Sequence, residues 1–165
     1  SCNSVALRYF NPIGSHPSAL IGDCSADRPS NLVPIITEVA IGKREKITVF
    51  GDDYNTPDGT CIRDYIHVVD LAKSHVKAMD FLVNDPGKHA FNVGTGIGVS
   101  VLDAVKAFEK TNNLKINYSI GPRRNGDIEQ IYANGNLVKN KLGWEPIESL
   151  EQAMKSAWDW EKGKA

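Results

Sequence analysis

The chain has few cysteines and no residue pattern typical of a metal site. Its three cysteines, Cys2, Cys24 and Cys61, are scattered over 165 residues and form no C-x-x-C pair. A disulfide framework is therefore not expected, and the sequence predicts a reducing, cytoplasmic compartment. The four histidines show no ligand spacing with one another or with cysteine, so no metal site is predicted.

Neither sign of charge is in excess, and no long apolar run is present. The 19 basic and 20 acidic residues give a formal net charge of −1. A nucleic-acid partner usually requires a basic stripe and a membrane surface a polybasic cluster, so neither partner is predicted. The apolar runs are too short to span a bilayer, and no signal-peptide pattern stands at the N-terminus. The composition predicts one globular domain over 1–165, or one lobe of a larger protein.

Apolar and amphipathic segments alternate along the chain, which predicts an α/β fold. Residues 4–10 are typical of a strand buried on both faces of a parallel sheet. Because such a strand needs neighbours, we expect an N-terminal part of the sheet to be missing from this chain. Residues 15–30, rich in Ser, Pro, Asp and Gly, predict a long loop.

Capping residues and breakers predict where the helices lie. Asn31 begins a predicted helix that ends near Ile41, and Asp70 begins one that runs from Leu71 to about Val83. Further helices are predicted after Ser100 and near 136–142 and 150–160, and strands at 47–50, 61–68, 89–93 and 115–120.

The glycine run at 94–98 lies between a strand and a helix, where a dinucleotide-binding loop would be found. The G-x-G-x-x-G fingerprint is incomplete because Val99 stands at the third glycine position, and the next strand supplies no acidic residue. A tight turn into a helix capped by Ser100, with Asp103 three residues on, is the better interpretation. The chain alone is not predicted to hold a nicotinamide cofactor.

Three arginines are candidate anion ligands. Arg63 lies in a predicted strand, where it needs a carboxylate partner such as Asp64 or Asp70, or an anionic ligand. Arg123 and Arg124, in the loop sequence RRNGD, could clamp a phosphate or form a solvated surface pair, and spacing alone leaves both interpretations open.

The strand that contains Arg63 also raises the question of a catalytic cluster. If 61–68 is one strand, Arg63, Tyr65 and His67 share one face and Asp64 points to the other. No nucleophilic triad follows from that arrangement, and no serine stands on a G-x-S-x-G elbow. We therefore predict strand packing for Tyr65 and His67, and structural support for Asp64.

Several stretches together resemble one family. They are LRYFNPIGSHPSALIGD (7–23), the segment 31–79 that contains FGDDYNTPDGTCIRDYIHVVDLA, FNVGTGIGVSVLD (91–103) and RRNGD (123–127). From about Val5 to Trp160 the chain resembles the C-terminal half of the UDP-glucose 4-epimerases (UDP-galactose 4-epimerases), which are extended short-chain dehydrogenases/reductases. The most specific part is FGDDYNTPDGT followed by RDYIHVVDLA, because related nucleotide-sugar dehydratases and decarboxylases reach the arginine strand by a shorter loop.

The resemblance implies an NAD-dependent isomerase of galactose metabolism that interconverts UDP-galactose and UDP-glucose. In the family, a hydride leaves C4 of the sugar for the nicotinamide, the 4-keto sugar rotates, and the hydride returns to the other face. The family's NAD loop and Tyr-x-x-x-Lys pair lie in the N-terminal half, and no tyrosine here has a lysine four residues on. The resemblance therefore implies a UDP-sugar-binding fragment that is inactive alone, from a protein that is a homodimer at full length.

The resemblance also implies individual ligand contacts. The residues that match UDP-sugar contacts are Asn11, Asn31, Leu32, Thr48, Val49, Phe50, Arg63, Arg124, Asp127 and Ile131, and those beside the nicotinamide of NAD are Tyr9 and Phe10. Arg63 and Arg124 match diphosphate ligands, Asp127 a ribose contact, and 48–50 the strand against the uracil. Ile131 matches a position near the sugar where family members vary in size. A dehydratase or decarboxylase of the same superfamily, or a non-catalytic sugar-nucleotide-binding module, remains an alternative.

Overall fold

The computed structural model describes residues 2–24 and 29–164, and these residues form an α/β fold, as predicted. The strands are β1 (Ser4–Tyr9), β2 (Asn11–Ile13), β3 (Ile47–Phe50), β4 (Ile62–Arg63), β5 (Tyr65–His67), β6 (Lys88–Val93), β7 (Val99–Ser100), β8 (Tyr118–Gly121) and β9 (Gln130–Ile131). The helices are α1 (Leu32–Ala40), α2 (Val68–Asn84), α3 (Val101–Asn112), α4 (Asn136–Leu142) and α5 (Leu150–Gly163). Part of the loop predicted at 15–30, residues 25–28, lies outside the described residues.

The strands form small, mostly parallel sheets. β1 pairs with β6, β2 with β5 and β3 with β8 in parallel, while β4 lies between antiparallel β7 and parallel β9. The register places Asn11 beside Tyr65, and Arg63 beside Ile131. Polar candidates from distant parts of the sequence thus come together at strand ends, where ligands bind in open α/β sheets.

Two apolar clusters hold these sheets. The larger one packs α1, α3 and α5 against β3 and β5, with Phe108, Ile36 and Met154 fully buried. The second packs α2 and α4 against β6 and includes Trp144. No helix within the described ranges has both the length and the apolar character needed to cross a membrane.

The prediction of β1 as a strand buried on both faces is wrong for this structure. Only Val5 and Leu7 are half-buried, and Arg8 and Tyr9 are exposed. The physical reason is that, among the described residues, β1 has a single neighbouring strand, β6, and contacts the helix α2. Its second edge carries backbone groups with no strand partner there.

The single strand predicted at 61–68 is also wrong. β4 ends at Arg63 and β5 begins at Tyr65, and the two belong to different sheets. Between them, the Asp64 carbonyl accepts a 2.9 Å bond from the Asn11 N–H of β2. The alternation of faces expected from one continuous strand therefore does not extend across Asp64, although Tyr65 and His67 are buried in packing as predicted.

Helix α2 begins earlier than predicted, and its cap is a different residue. It starts at Val68, and the Nδ1 of His67 accepts the Val69 N–H at 3.0 Å. Asp70, the predicted cap, lies inside the first turn, where its carboxylate accepts the N–H groups of Ile147 and Glu148 at 2.9 and 2.8 Å. Because a ring nitrogen caps the helix, the Asp70 carboxylate is available to hold the segment before α5.

His67 links β5 to α5 through its second ring nitrogen. Since Nδ1 accepts a bond, the neutral ring carries its proton on Nε2, which lies 3.2 Å from the hydroxyl oxygen of Ser156. That oxygen also accepts the N–H of Ser15 at 3.0 Å. Burial lowers the pKa of His67 below its usual value, although the charges of Glu148 and Asp70 act in the opposite direction.

We expect His67 to make folding stability fall as the pH drops below about 6.5, because the unfolded chain takes up a proton that the folded protein resists. His67→Asn keeps an acceptor for the Val69 N–H but cannot titrate in this range. The difference in unfolding free energy between native protein and variant, measured by urea denaturation, should therefore shrink as the pH is lowered from about 7 to about 5. Parallel pH profiles for the two proteins would contradict this assignment.

Candidate functional site

A buried carboxylate, that of Asp64, organises the centre of the candidate site. Its Oδ1 accepts bonds from the Thr95 N–H at 2.9 Å and the Thr95 hydroxyl at 2.6 Å. Its Oδ2 accepts the N–H groups of Gly96 at 2.9 Å and Ala133 at 3.0 Å. A Cβ at Gly94 would lie 2.5 Å from Oδ2, so a glycine is required for this close approach. The side chain thus supports the structure, as predicted.

The glycine run at 94–98 is a structural turn. Asp64 occupies the backbone N–H groups of Thr95 and Gly96, which are the groups that a phosphate would need. The predicted cap is confirmed, since Ser100 accepts the Asp103 N–H at 3.0 Å and begins α3. The turn therefore does not fit a dinucleotide phosphate.

Arg63 extends from β4 towards the 122–128 loop. Its Nη1 donates to the carbonyl oxygens of Ile62 and Ile128 at 2.9 and 2.6 Å. Its Nη2 lies 3.6 Å from Oδ1 of Asp127, and 17% of the side chain is exposed. The predicted partners, Asp64 and Asp70, are wrong, because both carboxylates are already bonded to backbone N–H groups elsewhere.

Arg124 binds the same carboxylate, that of Asp127. Its Nε and Nη2 donate to the two oxygens of Asp127 at 3.0 and 3.2 Å. Its guanidinium carbon lies 4.8 Å from the centre of the Phe50 ring, at the end of β3. We call Arg63, Arg124 and Asp127 the arginine cluster. Ile131, paired with Arg63 in the sheet, lies beside it with an exposed side chain.

Arg123 takes a different direction from its neighbour. Its Nε donates to Asp53 Oδ1 at 2.6 Å, its Nη2 donates to the Asp53 carbonyl at 2.5 Å, and its guanidinium carbon lies 4.0 Å from the Tyr54 ring centre. Hydrogen bonding to Asp53 raises the pKa of Arg123 and lowers the pKa of that carboxyl. Sequence reasoning missed this contact, although the aromatic residues Phe50 and Tyr54, which flank residues 51–53, were a usable signal.

The remaining predicted substrate contacts are more dispersed. Asn11 is exposed beside Asp64, with its N–H on the Asp64 carbonyl. Thr48 is exposed, whereas only 1% of Val49 is accessible because its side chain packs in the core. Asn31 begins α1 without a side-chain capping bond, and Leu32 packs against the larger cluster.

The predicted nicotinamide contacts stand at the carboxyl end of β1. Tyr9 is exposed, with its ring centre 6.4 Å from that of His75. The Phe10 N–H donates to the Val93 carbonyl at 3.1 Å. These two residues could contact one end of a cofactor, and they supply no phosphate ligands. Over the described parts of the chain, no group of three or more His, Cys, Asp and Glu side chains is placed to hold a metal ion.

A cavity of about 750 Å³ opens elsewhere, among residues of β2, α1, α2 and α5. Its lining includes Ile13, Val33 and Trp160, and none of the predicted ligand contacts. Both lysines that line it, Lys43 and Lys164, pair with the carboxylate of Glu161, at 2.6 and 3.3 Å. The arginine cluster is therefore the better candidate site, because its cationic groups converge from separate elements.

Comparison with known proteins identifies the family of the chain. Residues 3–157 match the family described as GDP-mannose 4,6 dehydratase, and the chain belongs to that family. The chain is 54% identical over 156 residues to a UDP-glucose 4-epimerase of Pasteurella multocida (strain Pm70), a match that covers 94% of this chain and 46% of the relative. The resemblance inferred from the motifs is thus confirmed.

Solved structures of UDP-glucose 4-epimerases share the fold of this chain. The UDP-glucose 4-epimerase from Stenotrophomonas maltophila with bound NAD and formylated UDP-arabinopyranose has a TM-score of 0.95 and 45% identity, covering 97% of this chain and 48% of that chain. The enzyme from Bifidobacterium longum in complex with NAD⁺ and UDP has a TM-score of 0.92 and 45% identity, with coverages of 96% and 47%. The chain therefore spans about half the length of the relatives it matches.

We expect Asp64→Asn to lower the unfolding free energy by about 3 kcal/mol or more, because an amide removes the charge and points N–H donors at backbone donors. Urea denaturation measures the loss. The matched control is Asp80→Asn, an exposed change on α2 that should stay within about 0.5 kcal/mol of the native protein. Equal effects of the two substitutions would show that Asp64 does not hold the site together.

Proposed function

We propose that this chain is the UDP-sugar-binding part of a UDP-glucose 4-epimerase, which interconverts UDP-galactose and UDP-glucose. The observation that supports this most directly is the arginine cluster. Guanidinium groups from β4 and from the 122–128 loop converge on one carboxylate beside the partly exposed ring of Phe50. Planar guanidinium groups match the oxygens of a diphosphate in charge and geometry.

In this proposal the cluster positions the diphosphate and β3 positions the base. Arg63 and Arg124 bind the phosphate oxygens, and Asp127 holds both guanidinium groups in place and contacts the ribose. Because the Val49 side chain is buried, a uracil at β3 would be contacted by the backbone, by Thr48 and by the Phe50 ring. Asn11, Asn31 and Leu32 complete the proposed nucleotide and phosphate contacts.

The division of contacts suits a sugar that must turn over within the site. A sugar that rotates between two faces cannot be held by many fixed hydrogen bonds, so binding energy must come from the unreacting UDP. Ile131, beside Arg63, offers such a sugar an apolar and non-directional contact. The chemistry that NAD supplies when bound is reversible hydride transfer at C4, with Tyr9 and Phe10 beside the nicotinamide.

We further propose that the chain alone does not catalyse the reaction. No tyrosine in it has a lysine four residues on, and the glycine turn at 94–98 is occupied by Asp64. Most of the NAD contacts and the acid–base residues would then lie in the part of the relatives that this chain does not match. A homodimer at full length, a cytoplasmic location and a role in galactose metabolism belong to the same proposal.

A second candidate is a nucleotide-sugar dehydratase or decarboxylase, favoured by the description of the matching family as GDP-mannose 4,6 dehydratase. The two candidates differ in their products. For the protein that carries this chain, inversion at C4 with no change in sugar mass supports the epimerase. Loss of water or carbon dioxide supports the alternative, and UDP binding without turnover supports a non-catalytic module.

We expect the purified chain to bind UDP, and Arg63→Ala or Arg124→Ala to weaken that binding by about 1.5–3 kcal/mol, as for a lost charged hydrogen bond. Isothermal titration calorimetry measures the affinities. Lys115→Ala, which removes a positive charge from a side chain that is 89% exposed, serves as the control for a general charge effect. Native-like UDP binding by both arginine variants would rule out the cluster as the diphosphate site.

A further inference from the structure

The consecutive residues Arg123 and Arg124 both pack against the segment 50–54. Arg124 lies over Phe50, the last residue of β3, and Arg123 lies over Tyr54, in the loop that follows. The Gly51 N–H donates to the Gly121 carbonyl at 2.9 Å and extends the β3–β8 ladder by one bond. The 122–128 loop therefore begins, at the end of β8, next to the segment that both arginines contact.

The donors of Arg123 are directed away from the arginine cluster. They bond to the carboxylate and carbonyl of Asp53, and the side-chain stem passes over Gly51. A Cβ at Gly51 would lie 2.9 Å from Cγ of Arg123 and 2.6 Å from the Tyr54 ring, so the three residues are closely packed. Tyr54 is buried and offers a fixed surface.

The rest of the loop is held at the arginine cluster and at Glu129. Between Arg123 and Asp127 the chain turns at Gly126, which has a φ of +85°, and the Asp127 N–H reaches the Arg124 carbonyl only at 3.3 Å. At the far end, Glu129 is fixed by bonds from the N–H groups of Ile62 at 2.9 Å and Asn55 at 3.0 Å. Arg123 is thus the anchor at the β8 end, and the segment that carries Arg124 and Asp127 lies between that anchor and the Ile128 carbonyl, which accepts a 2.6 Å bond from Arg63.

We propose that Arg123 is a positioning residue. It docks the 122–128 loop on Asp53 and Tyr54 and so holds Arg124 and Asp127 in register with Arg63. This inference rests on the proposed function, because the residues held in register are the proposed diphosphate ligands. The Arg123–Asp53 pair is 46% and 70% exposed, so its direct contribution to stability is small. We therefore expect loss of the Arg123–Asp53 contact to lower the affinity for a diphosphate more than it lowers the stability of the fold.

The test compares UDP with uridine, which lacks the diphosphate, by calorimetry on the full chain. Arg123→Ala should weaken UDP binding about tenfold and weaken uridine binding by a smaller factor, because uridine keeps the ribose contact with Asp127 but has no diphosphate for the arginines. Arg123→Lys should lie between native protein and the Ala variant, since an ammonium can pair with Asp53 and lie over Tyr54 but has one nitrogen where the planar guanidinium uses two. Lys115→Ala should change neither affinity.

Asp53→Ala supplies the partner variant for a double-mutant cycle. It removes the other half of the same contact, so it should also weaken UDP binding, and combining it with Arg123→Ala should add little further loss. Additive losses, an equal loss for UDP and uridine, or native-like UDP binding by Arg123→Ala would each overturn the positioning role.

Hydrogen–deuterium exchange tests the same inference without a ligand. Arg123→Ala should speed exchange in a peptide that covers 122–128 and leave exchange in α3 unchanged, because only the loop loses its anchor. If the native chain bound no UDP, the proposed function would fail while this measurement still tested the anchor. Unchanged exchange in the loop would overturn the positioning role whatever the binding result.

Discussion

The buried carboxylate of Asp64 is the constraint on which the arrangement of the site depends. It stands where the chain passes from β4 into β5, and it collects donors from the glycine turn and from Ala133, just beyond β9. A buried anion is tolerated only when such donors surround it. The turn, the start of α3 and the strand pairing around Arg63 are therefore fixed relative to one another, and the position of Arg63 follows from them.

Elements governed by local chemistry were predictable from the sequence. β3, α4 and the Ser100 cap agree with the structure, because each depends on a short apolar run or a capping residue. The division of 61–68 into two strands was not predictable, since the donors that bond to Asp64 come from residues far along the chain. The His67 cap was missed for a related reason: a carboxylate three residues on was the stronger local candidate, but Asp70 bonds to the segment before α5.

The candidate site was predictable in part. Spacing singled out Arg63 and left Arg123 and Arg124 equivalent, and the family resemblance supplied Asp127. The structure separates the two adjacent arginines, because each lies over a different aromatic residue and bonds to a different aspartate. Which carboxylate pairs with Arg63 could not be decided from its neighbours in sequence, since both nearby aspartates bond to backbone N–H groups from distant parts of the chain.

The balance of donors and acceptors distinguishes the two polar centres. At Asp64, four donors from three residues satisfy one carboxylate, and the centre is closed to a further anion. At Asp127 the proportion is reversed, because one carboxylate faces two guanidinium groups, each with five N–H donors. Within the described residues no hydrogen bond occupies Nη1 of Arg124. A centre with surplus donors at a partly exposed surface attracts an anion with several acceptor oxygens, which is the chemistry of a diphosphate.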